Sequence, residues 1–247
     1  MSWGGYAPYE SVADKKAKVL KKIASMRKKK KYADIEPVTI EGRLIAKNWW
    51  GKAWCTNLES YADYSNRIGR GKSYVKNGMV IDLKIEEGKL SSLVMGSGST
   101  PYECVISIKT LPKKQLTDIK KMTSSSFDSV QSLLGGKFPK ELQETLSGKG
   151  KGLFPKPREI SFDCDCPDWA DMCKHIAATL YAVGARLDHK PELLFSLRGV
   201  DMNELISDTI NDHKSSLINK ALKVKSKRIM NIKDNPLGSM FDIDFKS

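Results

Sequence analysis

The spacing of hydrophobic positions changes from helical to strand-like along the first half of the chain. A thin apolar stripe over residues 14–31, with Asp14 as its N-cap, predicts a basic helix that ends in a run of consecutive cations. Aromatic residues at helical spacing predict a second helix over residues 52–64. Such a stripe is more typical of a packed core than of a base-stacking platform. Its members are Trp49, Trp50, Trp54, Leu58 and Tyr61.

A period of two follows, and turn residues divide it into short segments. Asn77 and Gly78 form a hairpin signal, and the odd positions of 79–86 are apolar, which places them on one face of a strand. A Gly- and Ser-rich connector precedes Pro101. The pattern predicts an antiparallel meander with strands over residues 72–77, 79–86, 90–95 and 102–109.

The second half of the chain is mainly helical in pattern. Helices are expected over 113–134 and 139–146, before a flexible basic linker at 147–152. A strand at 159–163 leads into a cysteine-rich stretch, and the helix that follows has Gly184 as its stop signal. Helices are then expected over 191–198, from 201 towards 213, and over 215–227. The last ten residues, 238–247, read as a frayed end rather than as a strand added to a partner's sheet.

The cysteine-rich stretch carries the chemistry. Cys164, Cys166, Cys173 and His175 lie within twelve residues, and three thiolates with one imidazole fill a tetrahedral zinc shell. Cys173 is expected at or before the first turn of the following helix, where it and His175 can both turn inward. A closed shell of this kind is structural more often than catalytic.

Three other uses of these residues remain open. A disulfide is possible, but a reducing compartment disfavours it. A redox site would prefer the Cys-x-x-Cys spacing, and this chain has Cys-x-Cys. A catalytic zinc would need an open position and a base, for which Asp165, Asp168 and Asp171 are the acidic candidates. We favour one structural zinc ion per chain and assign no catalytic residue.

Charge and cysteine usage narrow the class of protein. The 247-residue chain has a formal net charge of +13, which favours an anionic partner such as nucleic acid over a membrane surface or simple solubility. No run of about 18 apolar residues is present, so no transmembrane helix is expected. The lysines near the N-terminus are not followed by an apolar segment, so a secretory signal is not expected either. The five cysteines are odd in number and three of them lie in the ligand cluster, which fits a reducing compartment better than a disulfide framework; we therefore expect a cytoplasmic protein.

A glycine-rich basic segment resembles the end of a phosphate-binding loop but does not satisfy that motif. The sequence Gly71-Lys-Ser73 would need a glycine at position 66, which is asparagine, and the predicted strand stands where a helix should begin. We therefore reject ATP binding here. Arg67, Arg70 and Lys72 remain candidates for contact with a nucleic-acid backbone.

The pattern of cysteines and histidine resembles the SWIM zinc finger in its short-spacer form. Neighbouring features agree: an aspartate-rich spacer that contains a tryptophan, and a lysine between the last two ligands. Further segments resemble prokaryotic proteins that carry this finger: Trp49 to Trp54, Gly69 to Tyr74, Thr100 to Tyr102, and Leu194 to Gly199. The resemblance implies zinc at Cys164, Cys166, Cys173 and His175, binding to DNA or protein, and association with Swi/Snf-type helicase ATPases.

These observations together predict an α+β protein with an antiparallel β-meander and flanking helices, then a small strand-turn-helix zinc finger and C-terminal helices. The expected parts are a basic N-terminal arm at 1–47, an α+β domain at 48–147, the finger at 148–187 and a helical region at 188–247.

The expected function is non-catalytic binding of nucleic acid, DNA in the first place, together with a Swi/Snf-type helicase ATPase. The alternative is an adaptor that docks on such an ATPase without touching nucleic acid. A weaker third hypothesis is a hydrolase. No membrane and no small-molecule substrate are expected. The run at residues 27–31 is equally a solvated tail or a phosphate-contacting arm. The candidate phosphate contacts are Lys174, Arg67, Arg70, Lys72, Arg27, Lys28, Lys29, Lys30, Lys31, Lys223, Lys225, Lys227 and Arg228.

Overall fold

The structure is a computed structural model that describes residues 11–60, 65–96, 98, 100–124, 143, 144, 146, 148 and 152–223. Short 3₁₀ turns lie at Lys30–Tyr32 and Pro157–Glu159. The helices and strands are α1 (Val12–Met26), α2 (Trp49–Glu59), α3 (Ser65–Lys76), β1 (Val80–Glu86), β2 (Lys89–Val94), β3 (Tyr102–Ile108), α4 (Lys113–Ser124), β4 (Ile160–Cys164), α5 (Lys174–Leu187), α6 (Glu192–Leu197) and α7 (Met202–Lys223).

One antiparallel sheet in the order β1-β2-β3-β4 organises the fold. The predicted α+β class, with a meander followed by a strand and a helix at the cysteine-rich stretch, is confirmed. The strand that carries Cys164 is the fourth strand of this sheet, because β4 pairs with β3 from Ile160 opposite Ile108 to Cys164 opposite Cys104. The division of the chain into four parts stays a prediction.

The predicted strand at 72–77 is wrong, because residues 72–76 are the last residues of helix α3 and Asn77 is in the turn that follows. Gly78 has a φ of +73° and follows the helix end, where the Met79 amide donates to the Tyr74 carbonyl at 3.0 Å. The Asn77-Gly78 signal therefore ends a helix instead of making a hairpin. The local sequence did not predict this helix, because α3 is stabilised by packing on α5, which lies about one hundred residues later in the chain.

A bulge overturns the predicted alternation of the next strand. The register of β1 against β2 shifts between Val80 and Asp82. Val80 and Leu83 therefore face the main core, and Ile81 faces a second cluster on the other side of the sheet. An extra residue in one strand reverses the face that follows it, which a strict period of two cannot anticipate.

Helix α1 covers that second side. Its buried residues Val19, Ile23 and Met26 pack in one cluster with Ile35 and Ile81. The N-cap is Ser11, whose Oγ accepts from the Asp14 amide at 3.1 Å, and the predicted cap at Asp14 is wrong. The predicted basic helix thus lies on the sheet and ends at Met26, before the last of its cations.

Helix α5 is the centre of the main core. Every residue from His175 to Ala185 is buried, so this part of the helix is enclosed on all sides by other elements. Trp54 Nε1 donates to the Leu180 carbonyl at 2.8 Å, and Tyr181 donates to Glu59 at 2.8 Å. These bonds attach α5 to α2.

Gly184 does not stop α5, contrary to prediction, because the helix continues to Leu187. A Cβ on Gly184 would lie 2.7 Å from Cys55 Sγ and 3.3 Å from the Gly51 carbonyl oxygen. Gly51 in turn sits against the Gly184 carbonyl. The two glycines allow α2 and α5 to cross at close range.

Gly71 does the same between α3 and α5. A Cβ there would lie 2.5 Å from Ala177 Cβ and 2.9 Å from the Ala177 carbonyl carbon. Gly69, one half-turn earlier in α3, has nothing within 4 Å of the same position. The glycines of the supposed phosphate loop therefore differ in role, and Gly71 is a packing residue.

We expect Gly71→Ala to lower the free energy of unfolding by about 1–3 kcal/mol, because overpacking forces α3 away from α5. The matched control, Gly69→Ala, should raise it by roughly 0.5–1 kcal/mol through helix propensity alone. Urea unfolding of both zinc-loaded variants measures the difference. Equal stabilities of the two variants would contradict the close crossing.

Among the described residues of the C-terminal half, one helix replaces two that were predicted. Helix α6 is confirmed close to its expected bounds, but α7 is one continuous helix where two were expected. Helix α4 begins as predicted at Lys113. Predictions for residues 125–142, for most of 147–152 and for 238–247 lie outside the described residues. Among the helices that are described, none is long and apolar enough to cross a membrane.

Candidate metal centre

The four predicted ligands come from three adjoining pieces of chain. Cys164 is the last residue of β4, and Cys166 lies in the loop that follows. Cys173 is the N-cap of α5, with Sγ accepting from the Ile176 amide at 3.5 Å. His175 is the second residue of α5 and is completely buried. Two residues that are two apart within a regular helix point to different faces. Cys173 and His175 can still face the same point, because the side chain of an N-cap residue turns back over the first turn of the helix.

The donor set fits zinc. One ligand atom from each of Cys164, Cys166, Cys173 and His175 lies within 4.8 Å of all the others. His175 Nδ1 is 3.9 Å from the Sγ atoms of both Cys164 and Cys173, so this ring nitrogen faces the sulfurs. Sulfur and imidazole donors at such separations are what a tetrahedral zinc site requires, at Zn–S distances of about 2.3 Å.

Without a cation, these thiols resist ionisation. The neighbouring Cys104 thiol raises the pKa of Cys164, the Cys164 thiol raises the pKa of Cys173 to about 11, and burial raises the pKa of Cys166. Three uncompensated thiolates would repel one another in a partly buried space. Zinc supplies the missing positive charge and displaces the thiol protons when it binds. Three thiolates and one dication still leave the site about one charge negative.

Aromatic rings enclose the histidine. Tyr102, the first residue of β3, stacks on His175 with ring centroids 4.3 Å apart and an interplanar angle of 29°. Tyr74 of α3 meets the same ring edge-on at 5.5 Å. These contacts fix the ring plane and therefore the direction of Nδ1.

An ion pair holds the ligand loop to α3. Arg67 donates to Asp168 at 3.0 Å, and the two side chains are only 17% and 14% exposed. This bond lowers the pKa of Asp168, which also accepts from the Ala170 amide at 3.4 Å. Asp168 is therefore a bracing residue of the loop between Cys166 and Cys173, in a role that the sequence did not suggest.

The predicted phosphate contacts are spread over the surface and differ in their present partners. Lys72 pairs with Glu59 at 2.9 Å, and Lys31 pairs with Glu103 at 2.9 Å. Arg27 donates to the Ile35 carbonyl at 2.9 Å. Lys174 lies 6.0 Å from the Tyr74 ring centroid.

Four further predicted contacts lie in the described part of the chain, where none of them pairs with a carboxylate. Lys28, Lys29, Lys30 and Arg70 are exposed. Lys223 is the last residue of α7, and its side chain is not described. Lys225, Lys227 and Arg228 lie outside the described residues.

Sequence reasoning missed the neighbours of the site. Tyr74 and Tyr102 belong to two of the segments that resemble finger-carrying proteins, which was the available signal for them. Cys104 lies 3.5 Å from Cys164, sulfur to sulfur, although the two are sixty positions apart. Only the pairing of β3 with β4 brings them together.

Comparison with known proteins agrees with the geometry. The family model described as SWIM zinc finger matches residues 163–184. The chain is 34% identical over 165 residues to Uncharacterized protein Rv2102 of Mycobacterium tuberculosis, an alignment that covers 66% of this chain and 59% of that protein. The chain thus spans about three fifths of the length of this relative. No solved structure matches.

The matched residues run from the end of β4 to the last turn of α5 and contain all four donors. The family is a binding module, and the donor set and its closed arrangement fit one structural zinc ion. This chain therefore carries a SWIM zinc finger at residues 163–184.

Proposed function

We propose that this protein binds nucleic acid, DNA in the first place, without catalysing a reaction on it, and that it acts together with a Swi/Snf-type helicase ATPase. The observation that carries the proposal is the exposed cluster Lys28, Lys29 and Lys30 at the end of a docked helix. We call these three residues the basic turn.

The anchoring of the basic turn favours a binding surface over a solvated tail. Met26, two residues before Lys28, is buried against the sheet, and Arg27 donates to the Ile35 carbonyl. The cations that follow are therefore held on the folded body. Lysines held in place lose less conformational entropy when they meet phosphates than lysines on a loose tail. The net charge of +13 extends the attraction to anions beyond this turn.

The finger itself is not the place for phosphate. Asp163, Asp165 and Asp171 are exposed on it, and the zinc site keeps about one negative charge. Arg67 and Lys72 are already paired with carboxylates, so they contribute less to phosphate binding than the basic turn. Arg70 and Lys174 are the remaining candidates near the finger. Zinc stabilises the fold, and the exposed cations bind the nucleic acid.

Charge reversal of the basic turn tests this proposal. We expect the variant with Lys28→Glu, Lys29→Glu and Lys30→Glu to lose affinity for duplex DNA by a factor on the order of ten or more. The slope of log affinity against log salt concentration should fall in magnitude by about 0.9 for each lost phosphate contact. Fluorescence anisotropy at several salt concentrations measures both quantities.

The matched control reverses Lys84, Lys89 and Lys109, which are exposed and change the net charge equally. Lys89 is the first residue of β2. Near the other end of β2, Leu93 pairs with Glu103, whose side chain binds Lys31 beside the basic turn. The control should bind more tightly than the test variant. Equal loss in both variants would indicate a net-charge effect and refute a role for the basic turn.

The second candidate function is an adaptor that docks on such an ATPase without touching nucleic acid. Trp169, in the finger loop, is 78% exposed, and its neighbours in that loop are acidic. A large exposed aromatic beside carboxylates suits a protein contact better than a phosphate contact. Absence of DNA and RNA binding at low salt, with partners retained after nuclease treatment of a pull-down, would support the adaptor and contradict the first proposal.

A further inference from the structure

A fourth sulfur lies beside the three sulfur ligands of the zinc site and is not one of them. Cys104 is 1% exposed on β3, and its Sγ is 3.5 Å from Sγ of Cys164. The remaining cysteine, Cys55, is on α2 and packs near Gly184. Four donors already complete a zinc shell, so Cys104 is left as a thiol in contact with a ligand.

The sheet places these two cysteines in a position where they can be joined. Cys104 and Cys164 are directly opposite in the antiparallel pairing of β3 with β4. Residues so paired have Cβ atoms about 4.5–5.5 Å apart, and a disulfide needs about 3.5–4.5 Å. A small inward movement of the two side chains is enough, with no change of strand register.

The two sulfurs also differ in reactivity and access. Cys164 is half-buried and is held as a thiolate when zinc is bound, and the thiolate is the form that attacks an oxidant. Cys104 is shielded from solvent and meets a small oxidant last. The first oxidation therefore falls on the ligand side, and Cys104 is placed to react with its product.

We propose that Cys104 is the resolving thiol of a peroxide-sensitive site, and that its disulfide with Cys164 releases zinc from the finger. The proposal is independent of nucleic-acid binding. The Cys164 thiolate attacks one oxygen of hydrogen peroxide, the O–O bond breaks, and hydroxide leaves and takes a proton to become water. Cys164 is now a sulfenic acid.

The Cys104 sulfur then attacks the Cys164 sulfur. The S–S bond forms, the S–O bond breaks, and the leaving hydroxyl takes the thiol proton of Cys104 as water. Two cysteines are oxidised, and one peroxide is reduced to two waters. Cys164 then has no charge with which to hold the metal, and three donors remain.

The test uses the full zinc-loaded chain treated with one equivalent of hydrogen peroxide, with a chromogenic chelator reporting released zinc. Peptide mapping should find Cys104 joined to Cys164, and dithiothreitol followed by zinc should restore the original zinc content. A disulfide between two of Cys164, Cys166 and Cys173, with Cys104 still reduced, would overturn the proposal, and this measurement needs no variant.

Cys104→Ala provides the second arm. In this arm hydrogen peroxide is supplied in excess. Without a resolving thiol, a second peroxide should transfer an oxygen to the Cys164 sulfenic acid and leave as water, so the sulfinic state forms and zinc binding does not recover after dithiothreitol. Cys55→Ala, the control thiol outside the site, should recover as the unchanged protein does. Full recovery of Cys104→Ala after zinc release would show that the ligands resolve the oxidation among themselves, and the proposal would fail.

Discussion

Removal of zinc is expected to lower the melting temperature of this protein by more than ~10 °C. Structural zinc contributes about 10–16 kcal/mol of apparent free energy in small finger peptides. Helix α5 has other packing contacts in this chain, so only part of that contribution should be lost. Half of the lower figure, about 5 kcal/mol, corresponds to roughly 10–20 °C for a protein of this size.

The size of the effect follows from where the ligands lie. Cys164 ends β4 and Cys173 caps α5, so the metal joins the edge strand to the central helix of the core. Without zinc, buried His175 and the three thiols must be accommodated with no cation to bind them. The start of α5 should loosen first, and the packing of α3 on it should follow.

Circular-dichroism melting before and after chelation, with zinc content measured on the same samples, tests this expectation. Cys173→Ser should reproduce the effect of chelation through the metal alone, because it removes one ligand while serine still offers an acceptor at the α5 N-cap. Cys55→Ser changes a thiol outside the site and should retain one zinc per chain. An unchanged melting temperature after complete zinc removal would show that the metal does not stabilise the fold.

Arg198→Met is expected to lower the free energy of unfolding by about 3–5 kcal/mol, as is usual when one partner of a buried ion pair is removed. The Arg198 side chain is completely buried and donates to Glu159 Oε2 at 2.9 Å and to the Lys109 carbonyl. The Glu159 side chain is only 14% exposed, so its carboxylate would be left with little water in place of the guanidinium.

This ion pair also supports the metal site. Glu159 immediately precedes β4, and its carbonyl accepts from the Lys109 amide at 2.9 Å at the end of β3. Arg198 therefore holds together the two chain segments whose pairing sets Cys164 in place. Sequence comparison alone pointed to the segment from Leu194 to Gly199 without suggesting this role.

Arg186→Met is the matched control. Arg186 also pairs with a glutamate, Glu36, but that carboxylate side chain is 70% exposed. Such a pair contributes about 1 kcal/mol or less. In urea unfolding, Arg198→Met should therefore show a clearly lower free energy of unfolding than Arg186→Met. Similar destabilisation by both changes would mean that the buried Arg198 ion pair is worth no more to the free energy of unfolding than an exposed one.

Local pattern was sufficient where the deciding interactions are local. The strands β2 and β3 and the helix α6 follow from short-range alternation, helical spacing and turn residues, and they lie close to their expected bounds. Helix α2 was predicted over 52–64 and spans Trp49–Glu59; residues 61–64 of that prediction lie outside the described residues. Two predictions failed because a distant element decides the conformation. Residues 72–76 are helical because α3 packs on α5, and the face of Ile81 depends on a bulge against β2.

By itself, the sequence determined the ligand set and the kind of metal, because Cys164, Cys166, Cys173 and His175 lie within twelve residues and their chemistry selects zinc. It also determined the basic character of the protein. Only the tertiary structure decided which residues surround the site, since Tyr74, Tyr102, Arg67 and Cys104 arrive from elements far away in the chain. The physical reason is that donor chemistry is a property of the residue, whereas burial, pairing and partner distance are properties of the packed fold.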